Sequence, residues 1–315
     1  MTIEQLTYVL AVARFQSFVR AADHVSVSQP ALTMQVKKLE EELGILLFDR
    51  SRKPLIVSAE GRVFLDRAQE VMLGIQSLKS LAEELSNAEG GELRLGIIPT
   101  LAPYLVPLFI SHFGKAYPQV QLSIAELVTE EIIRDIKNGT LDAGIYATPV
   151  QSAGIYHEVL FYERFFLYVS ASHPWSDKQH ISMEDLPGTR LWLLREGNCF
   201  RSQVNDICQL QASRQLKEPL VYESSSIESL MRIVEHQGGM TLIPELATLA
   251  VAPEQESMLR DFSDQHHLRE ISLAYSRLHW KEKMLNKLKQ SIVMHIPKHM
   301  QEAGKGIIMD TAVHT

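Results

Sequence analysis

The sequence predicts two architectures in one chain: an N-terminal all-α winged helix-turn-helix with a long linker helix, then a C-terminal two-lobed α/β domain. Three patterns predict it. The first 60 residues hold three short helical patterns, two of them capped, and a small hairpin. The next stretch holds one unbroken heptad. From Glu92 onward strand and helix patterns alternate, which is the signature of an α/β fold. The expected boundaries are 1–58 for the winged head, 59–89 for the linker, 90–300 for the two lobes and 301–315 for a tail. The first lobe takes about 90–162 and 269–300, and the second about 163–268.

Composition permits this and narrows the class. The 315 residues are enough for two or three cores, with 45% hydrophobic and 22% charged residues. No window is apolar enough for a membrane span, and the first residues lack the basic-then-apolar pattern of a secretion signal. A cytoplasmic protein without a membrane partner is expected. Two cysteines are too few for a disulfide scaffold. The net charge is −7, but residues 1–60 carry seven Lys/Arg and seven Asp/Glu. A neutral head binds nucleic acid only if its few cations point one way.

Within the head, Leu6, Val9, Leu10 and Ala13 recur at helical spacing, so a first helix spans about Thr2 to Phe15. Ser17 caps a second helix over Phe18 to Asp23. After a break at His24–Val27, Ser28 caps a third, with Pro30 near its start, where a missing N–H costs nothing. Leu32, Val36, Leu39 and Leu43 share its inner face. Gln29, Pro30, Thr33, Met34, Lys37 and Lys38 lie outside, placed with Ser28 to reach base edges in a major groove. Gly44 ends the helix. Leu46–Arg50 and Leu55–Val57 then read as a hairpin whose tip offers Arg50, Arg52 and Lys53 to phosphates. A plain three-helix bundle with a solvated basic turn fits the same residues.

In the linker, Phe64, Ala68, Val71, Ile75, Leu78, Ala82 and Leu85 alternate steps of four and three. Such a seam calls for a partner helix, in a dimer or against the helix's own domain. Gly61 and Gly74 each cost it about 1 kcal/mol relative to Ala. Glu89-Gly90-Gly91 breaks the helix as a hinge.

In the lobes, Leu93–Ile98, Val120–Glu126 and Leu141–Tyr146 read as strands, with helices over Leu105–Tyr117 and Glu130–Asn138. Phe161–Ser170 enters the second lobe. Glu270–Tyr275 and a helix from Lys281 to about His295 return to the first. A cleft between lobes is where small ligands bind. The tail from Lys298 has little pattern, as a disordered end would.

Both cysteines, Cys199 and Cys208, fall in one segment. Asn198 can cap a helix beginning at Cys199, and Arg195 and Arg201 flank that thiol. A helix N-terminus and nearby cations both lower a thiol pKa. A thiolate is what peroxides attack. If the segment is one helix, nine positions put the Cα atoms about 13.5 Å apart, against the roughly 7 Å a disulfide tolerates. A bond between them would have to rebuild the helix. Two inert buried cysteines satisfy the same spacing.

The stretch Ala21-Ala22, Val27-Ser28-Gln29-Pro30-Ala31-Leu32, Lys38-Leu39-Glu40-Glu41-Glu42-Leu43-Gly44 and Leu47-Phe48-Asp49-Arg50 resembles the LysR-type transcriptional regulators. The resemblance implies a homotetramer of dimers on double-stranded promoter DNA, RNA polymerase as a partner, and an effector domain of periplasmic-binding-protein-like fold. Further residues are similar to the peroxide-sensing members of that family: Ile98-Pro99-Thr100, Pro103-Tyr104-Leu105, Thr129, His173-Pro174-Trp175 and Leu242-Ile243-Pro244.

That likeness implies that Cys199 is oxidised and Cys208 resolves it to a disulfide. It implies that Thr100 and Thr129 help place peroxide, that Arg201 stabilises the reacting state, and that glutaredoxin or thioredoxin is the reductant. Asn198 and Ser202 depart from that pattern, which usually has His and Asp there. No metal, no cofactor and no turnover chemistry are expected. The other readings of this chain are a LysR-type regulator with a small-molecule inducer in its cleft, a thiol peroxidase and a solute receptor. A DNA-reading head speaks against the thiol peroxidase, and the missing secretion pattern against the solute receptor.

Overall fold

The computed structural model describes residues 1–85, 90–182, 185–186, 191–208, 222, 224–263, 266–276 and 281–313. Two compact units divide the chain at Asn87/Ala88.

In the first unit, α1 (Ile3–Phe15) starts on a cap at Thr2, one residue after the expected start, and α2 (Phe18–His24) and α3 (Gln29–Leu43) start on the side-chain caps that the sequence marks. The Thr2, Ser17 and Ser28 hydroxyls accept from Gln5, Arg20 and Ala31 N–H groups. Gly44 ends α3 at φ +68°, a left-handed conformation natural to glycine. Strands β1 (Phe48–Asp49) and β2 (Ile56–Val57) pair antiparallel as the wing. Val9, Val12, Leu32, Val36, Leu39 and Leu47 form a fully buried centre. Helix α4 (Ala59–Leu85) follows, with Leu65 tucked into that core. Gly61 has a steric reason: a Cβ there would stand 2.3 Å from the Leu47 carbonyl oxygen. The helix therefore accepts a poor helix former to sit against the wing. Gly74 meets nothing within 4 Å and has no such reason.

The second unit is the two-lobed α/β domain. Strand β3 (Gly91–Ile97), helix α5 (Ala102–Ala116), strand β4 (Val120–Glu126), helix α6 (Thr129–Lys137) and strand β5 (Ala143–Thr148) alternate, with β3 parallel to both β4 and β5. Strand β6 (Ile155–Val169) is long because it serves both lobes. Its Ile155–Arg164 stretch pairs with β10 (His267–Ser276), and Phe165–Val169 pairs with β8 (Met240–Pro244). Between them come β7 (His180–Ile181), α7 (Cys199–Ile207), α8 (Ile227–Gln237), α9 (Glu245–Thr248) and β9 (Leu259–Phe262). The strand order β4-β3-β5-β10-β6-β9-β7 carries one sheet from the first lobe into the second. Helix α10 (Glu282–His295) packs back on α5. An ion-pair lock closes the first lobe. Buried Asp142 accepts from the Arg94 backbone N–H at 2.8 Å and lies 2.8 Å from the Lys281 ammonium. Burial pushes its carboxyl up, but the bonds from Arg94 and Lys281 outweigh that and hold it below the usual value.

The tail corrects the expectation of disorder. Ile307–Ile308 form β11, parallel to β10, and Met309 N–H donates to the Leu268 carbonyl at 2.9 Å. The Thr311 hydroxyl donates to the Pro149 carbonyl at 2.6 Å, and Val313 is buried. A segment held mainly by backbone bonds needs no side-chain period, so none shows in the sequence. Of the hinge predicted at Glu89-Gly90-Gly91, Glu89 falls outside the described residues, while Gly91 opens β3 and its N–H donates to the Gln119 carbonyl at 3.2 Å.

Candidate functional site

Helix α7 begins where the sequence places it. Asn198 Oδ1 accepts the Phe200 N–H at 3.0 Å, and Phe200, Val204 and Ile207 bury one face. Cys199 is the first residue of the helix and Cys208 caps its C-terminus; both are free and buried. One helix therefore separates the two cysteines, whose Cα atoms lie about 13.5 Å apart at 1.5 Å per residue.

Around Cys199 the chain gathers distant residues. Thr129 starts α6 and Thr100 lies in the turn between β3 and α5; both are buried. Arg269 of β10 is fully buried. Its Nη2 donates to Thr100 Oγ1 at 3.2 Å, its Nε to Gln203 Oε1 at 3.2 Å, and its Nη1 to Glu163 Oε1 at 2.6 Å. Its guanidinium also lies over the Phe200 ring, 4.9 Å from the centroid. Glu163 Oε2 accepts the Leu246 N–H at 3.3 Å. The tail reaches the same cluster, where Gln203 Nε2 donates to the Met309 carbonyl at 3.5 Å.

The electrostatics correct one expectation. The Cys199 thiol is pushed up by burial, not down. The Arg269 charge and a hydrogen bond from Thr129 pull against the rise, and Glu130 adds to it. Arg195 and Arg201 are not the cations involved. Arg195 is exposed, and Arg201 turns its Nη1 to the Leu194 carbonyl at 2.6 Å, with Glu196 3.8 Å from Nη2. Arg201 lies two positions along α7 from Cys199 and so points to another side, and Arg195 precedes the helix, so adjacency misled. Ser202 is half-buried, and its backbone N–H donates to the Asn198 carbonyl. Burial pushes Cys208 up to about 12.

Thr129 thus reaches the Cys199 thiol and Thr100 reaches Arg269, while Arg201 stands aside. Arg269, Glu163 and Gln203 were missed. Arg269 and Glu163 are direct cross-strand partners in the β10–β6 ladder. One signal was available: Glu163-Arg164 and Arg269-Glu270 each set a pair of opposite charges inside a strand otherwise fit for burial.

On the head, Ser28, Gln29, Pro30, Met34, Lys37 and Lys38 are exposed along the outer side of α3. Thr33 is half-buried, and its hydroxyl finds no partner among the described residues. At the wing, Arg52 and Lys53 are exposed. Arg50 differs from the expected phosphate contact: its Nη2 lies 2.7 Å from Glu40 Oε2 and its guanidinium covers the Phe18 ring. Buried Glu40 also accepts the Leu47 N–H at 2.8 Å, so Arg50 fixes the wing to α3. Arg52→Ala and Lys53→Ala should each flatten the log-affinity against log-salt slope for DNA by about 0.9, read by fluorescence anisotropy. Arg50→Ala should instead lower the melting temperature of the protein. An unchanged slope in the double variant Arg52→Ala/Lys53→Ala would remove the wing from the phosphate contacts.

Along α4 the seam is divided. Phe64 packs on the head core and Ala68 is buried, so that end is already occupied. Val71 and Leu78 are 52% and 66% exposed, Ile75 is half-buried and Ala82 exposed. The Leu85 side chain is outside the described residues.

Comparisons with known proteins agree with this geometry. The family "Bacterial regulatory helix-turn-helix protein, lysR family" matches residues 3–62, and "LysR substrate binding domain" matches 86–295. The chain is 33% identical over 249 residues to the "Hydrogen peroxide-inducible genes activator" of Haemophilus influenzae, covering 79% of this chain and 82% of that one. It is similar to full-length OxyR of Pseudomonas aeruginosa bearing a cysteine-to-aspartate substitution, with TM-score 0.74, 34% identity, and 94% of this chain and 99% of that one covered. It is also similar to a hydrogen peroxide-bound cysteine mutant of Corynebacterium glutamicum OxyR, with TM-score 0.60, 27% identity, and 93% and 92% covered. On the match of both halves to one family, the chain belongs to the LysR-type transcriptional regulators.

Proposed function

We propose that this chain is a peroxide-responsive transcriptional activator of the OxyR kind, switched by a reversible Cys199–Cys208 disulfide. The observation that carries the reading is the buried cluster in which Thr129 and Arg269 meet the Cys199 sulfur at the head of a helix that ends in Cys208. The named relatives support it. The Cys199 thiolate attacks one peroxide oxygen, and the O–O bond breaks. A sulfenic acid forms on Cys199, and the departing hydroxide takes up a proton to leave as water. The Cys208 thiol then attacks the sulfenic sulfur, the S–O bond breaks, and a second water leaves as the S–S bond closes. Each switch consumes one peroxide, and a dithiol such as glutaredoxin or thioredoxin returns both thiols.

The output lies in the head, which reads double-stranded promoter DNA through Ser28–Lys38 and the Arg52–Lys53 wing tip. Dimers formed on α4 and joined into a tetramer would hold several heads on one promoter, with RNA polymerase recruited there, in the cytoplasm. Thr100 and Thr129 hold peroxide beside the sulfur. Asn198 keeps the capping role at the helix start, and Ser202 supplies no charge. Mass spectrometry of peroxide-treated protein should show an intramolecular Cys199–Cys208 disulfide at low micromolar peroxide. Both thiols staying free would end this reading and leave an inducer bound between the lobes.

A further inference from the structure

Arg269 is the cation of the Cys199 site, and its charge is already engaged. Its Nη1 lies 2.6 Å from Glu163 Oε1, and neither side chain is exposed at all. A fully buried carboxylate and a buried thiolate therefore face the same guanidinium. Only one of them can be neutralised by it, because the second negative charge would sit in a dry interior uncompensated. From this juxtaposition we infer that Glu163 is a positioning residue for the redox thiol: by holding the Arg269 charge it keeps Cys199 protonated.

Burial raises the thiol most, and the groups around it decide how far that rise is opposed. The groups facing the thiol are Arg269 from β10, Thr129 and Glu130 from α6, and Thr100 through Arg269. Glu130 has the wrong sign to favour a thiolate. The helix α7 contributes its N-terminal dipole, which does favour one. Behind Glu163 stand the Leu246 N–H and Glu245, and Glu245 is itself tied to Arg164 at 2.7 Å and to His299 at 3.1 Å. Tyr104 also feels the Glu163 charge. Burial pushes Glu163 up to about 7, against the pull of Arg269. The carboxyl is thus poised to take a proton in the neutral range. When it does, Arg269 is released to the sulfur and the buried charge stays balanced. The thiolate and the carboxylate titrate as a coupled pair around one cation. A titratable partner reaches Cys199 in this way although Asn198 and Ser202 cannot ionise.

This inference rests on Cys199 being the reactive thiol, but its test uses no peroxide and stands apart from that reading. The measurement is the ultraviolet absorbance of the thiolate against pH, on the full chain in a Cys208→Ser background, where Cys199 is the one remaining thiol. Glu163→Gln removes the competing charge and keeps the volume. The Cys199 midpoint should fall by about one unit or more, so the thiolate fraction at neutral pH rises about tenfold. Glu163→Asp retracts the carboxylate and keeps the chain foldable; its midpoint should fall by less.

Loosening of the site could also lower the midpoint by letting water in, so the two substitutions are repeated in an Arg269→Gln background. There the effect should vanish, because no charge remains to be released. An equal fall with and without Arg269 would mean rehydration and overturn the inference. So would an unchanged or raised midpoint in both Glu163 variants.

Discussion

In protein carrying Cys199→Ser, peroxide should leave the promoter footprint unchanged, whereas Cys208→Ser should oxidise once and stop. The first result follows from chemistry. A serine hydroxyl is not deprotonated near neutrality, and Cys208 cannot stand in, because burial holds its thiol up to about 12. The loss should be complete within the sensitivity of footprinting. The second follows from geometry. Cys208→Ser leaves the surroundings of Cys199 intact, so a sulfenic acid should form and be captured by a dimedone-type probe. Nothing then pulls α7 apart. Phe200, Val204 and Ile207 are buried on its inner face, and exposing each costs about 1.5–3 kcal/mol. By that opposition a covalent bond is required, and the helix should not unwind for a single added oxygen. A full footprint change in Cys208→Ser would mean that the sulfenic acid alone is the signal, and would remove the disulfide from the mechanism.

What could be read from the sequence follows the range of the forces involved. The Ser17 and Ser28 caps of the head act within three residues, as does the glycine that ends α3, so their positions were legible to the residue. The helix between the cysteines was legible for the same reason, through Asn198. The partners of Cys199 were not. Arg269 and Glu163 are 106 positions apart and meet only because β6 and β10 pair in one particular register. Charge counting failed in the same way at the wing. Arg50 was counted toward DNA, but Glu40, ten positions earlier, is buried against it and takes that charge. Two arginines beside a cysteine in sequence raised an expectation of a lowered thiol, and the fold turned one outward and tied the other to a carbonyl.

The second large effect concerns assembly. Val71→Glu combined with Leu78→Glu should convert the protein to monomers in sedimentation velocity and weaken promoter binding by about 10²–10⁴-fold. The head has no net charge to lend a single copy strong non-specific affinity, since its seven cations face seven anions and Arg50 is spent internally. Affinity must then come from joining heads, and the heptad supplies the joint. Its Phe64 end is used by the head itself, whereas Val71 and Leu78 are more than half exposed within one chain. Apolar side chains on a heptad seam that stand more than half exposed among the described residues are placed to meet a second copy of the same helix. Two glutamates per chain put four like charges into that seam, which a coiled pair cannot bury. Because both positions are exposed in the single chain, the substitutions should leave the melting of the head unchanged, which separates lost assembly from lost folding. Asp66→Ala, on the far side of the same helix, should alter neither mass nor affinity. A double variant that still sediments as a dimer would place the self-contact elsewhere, and the loss of DNA affinity would then need another cause.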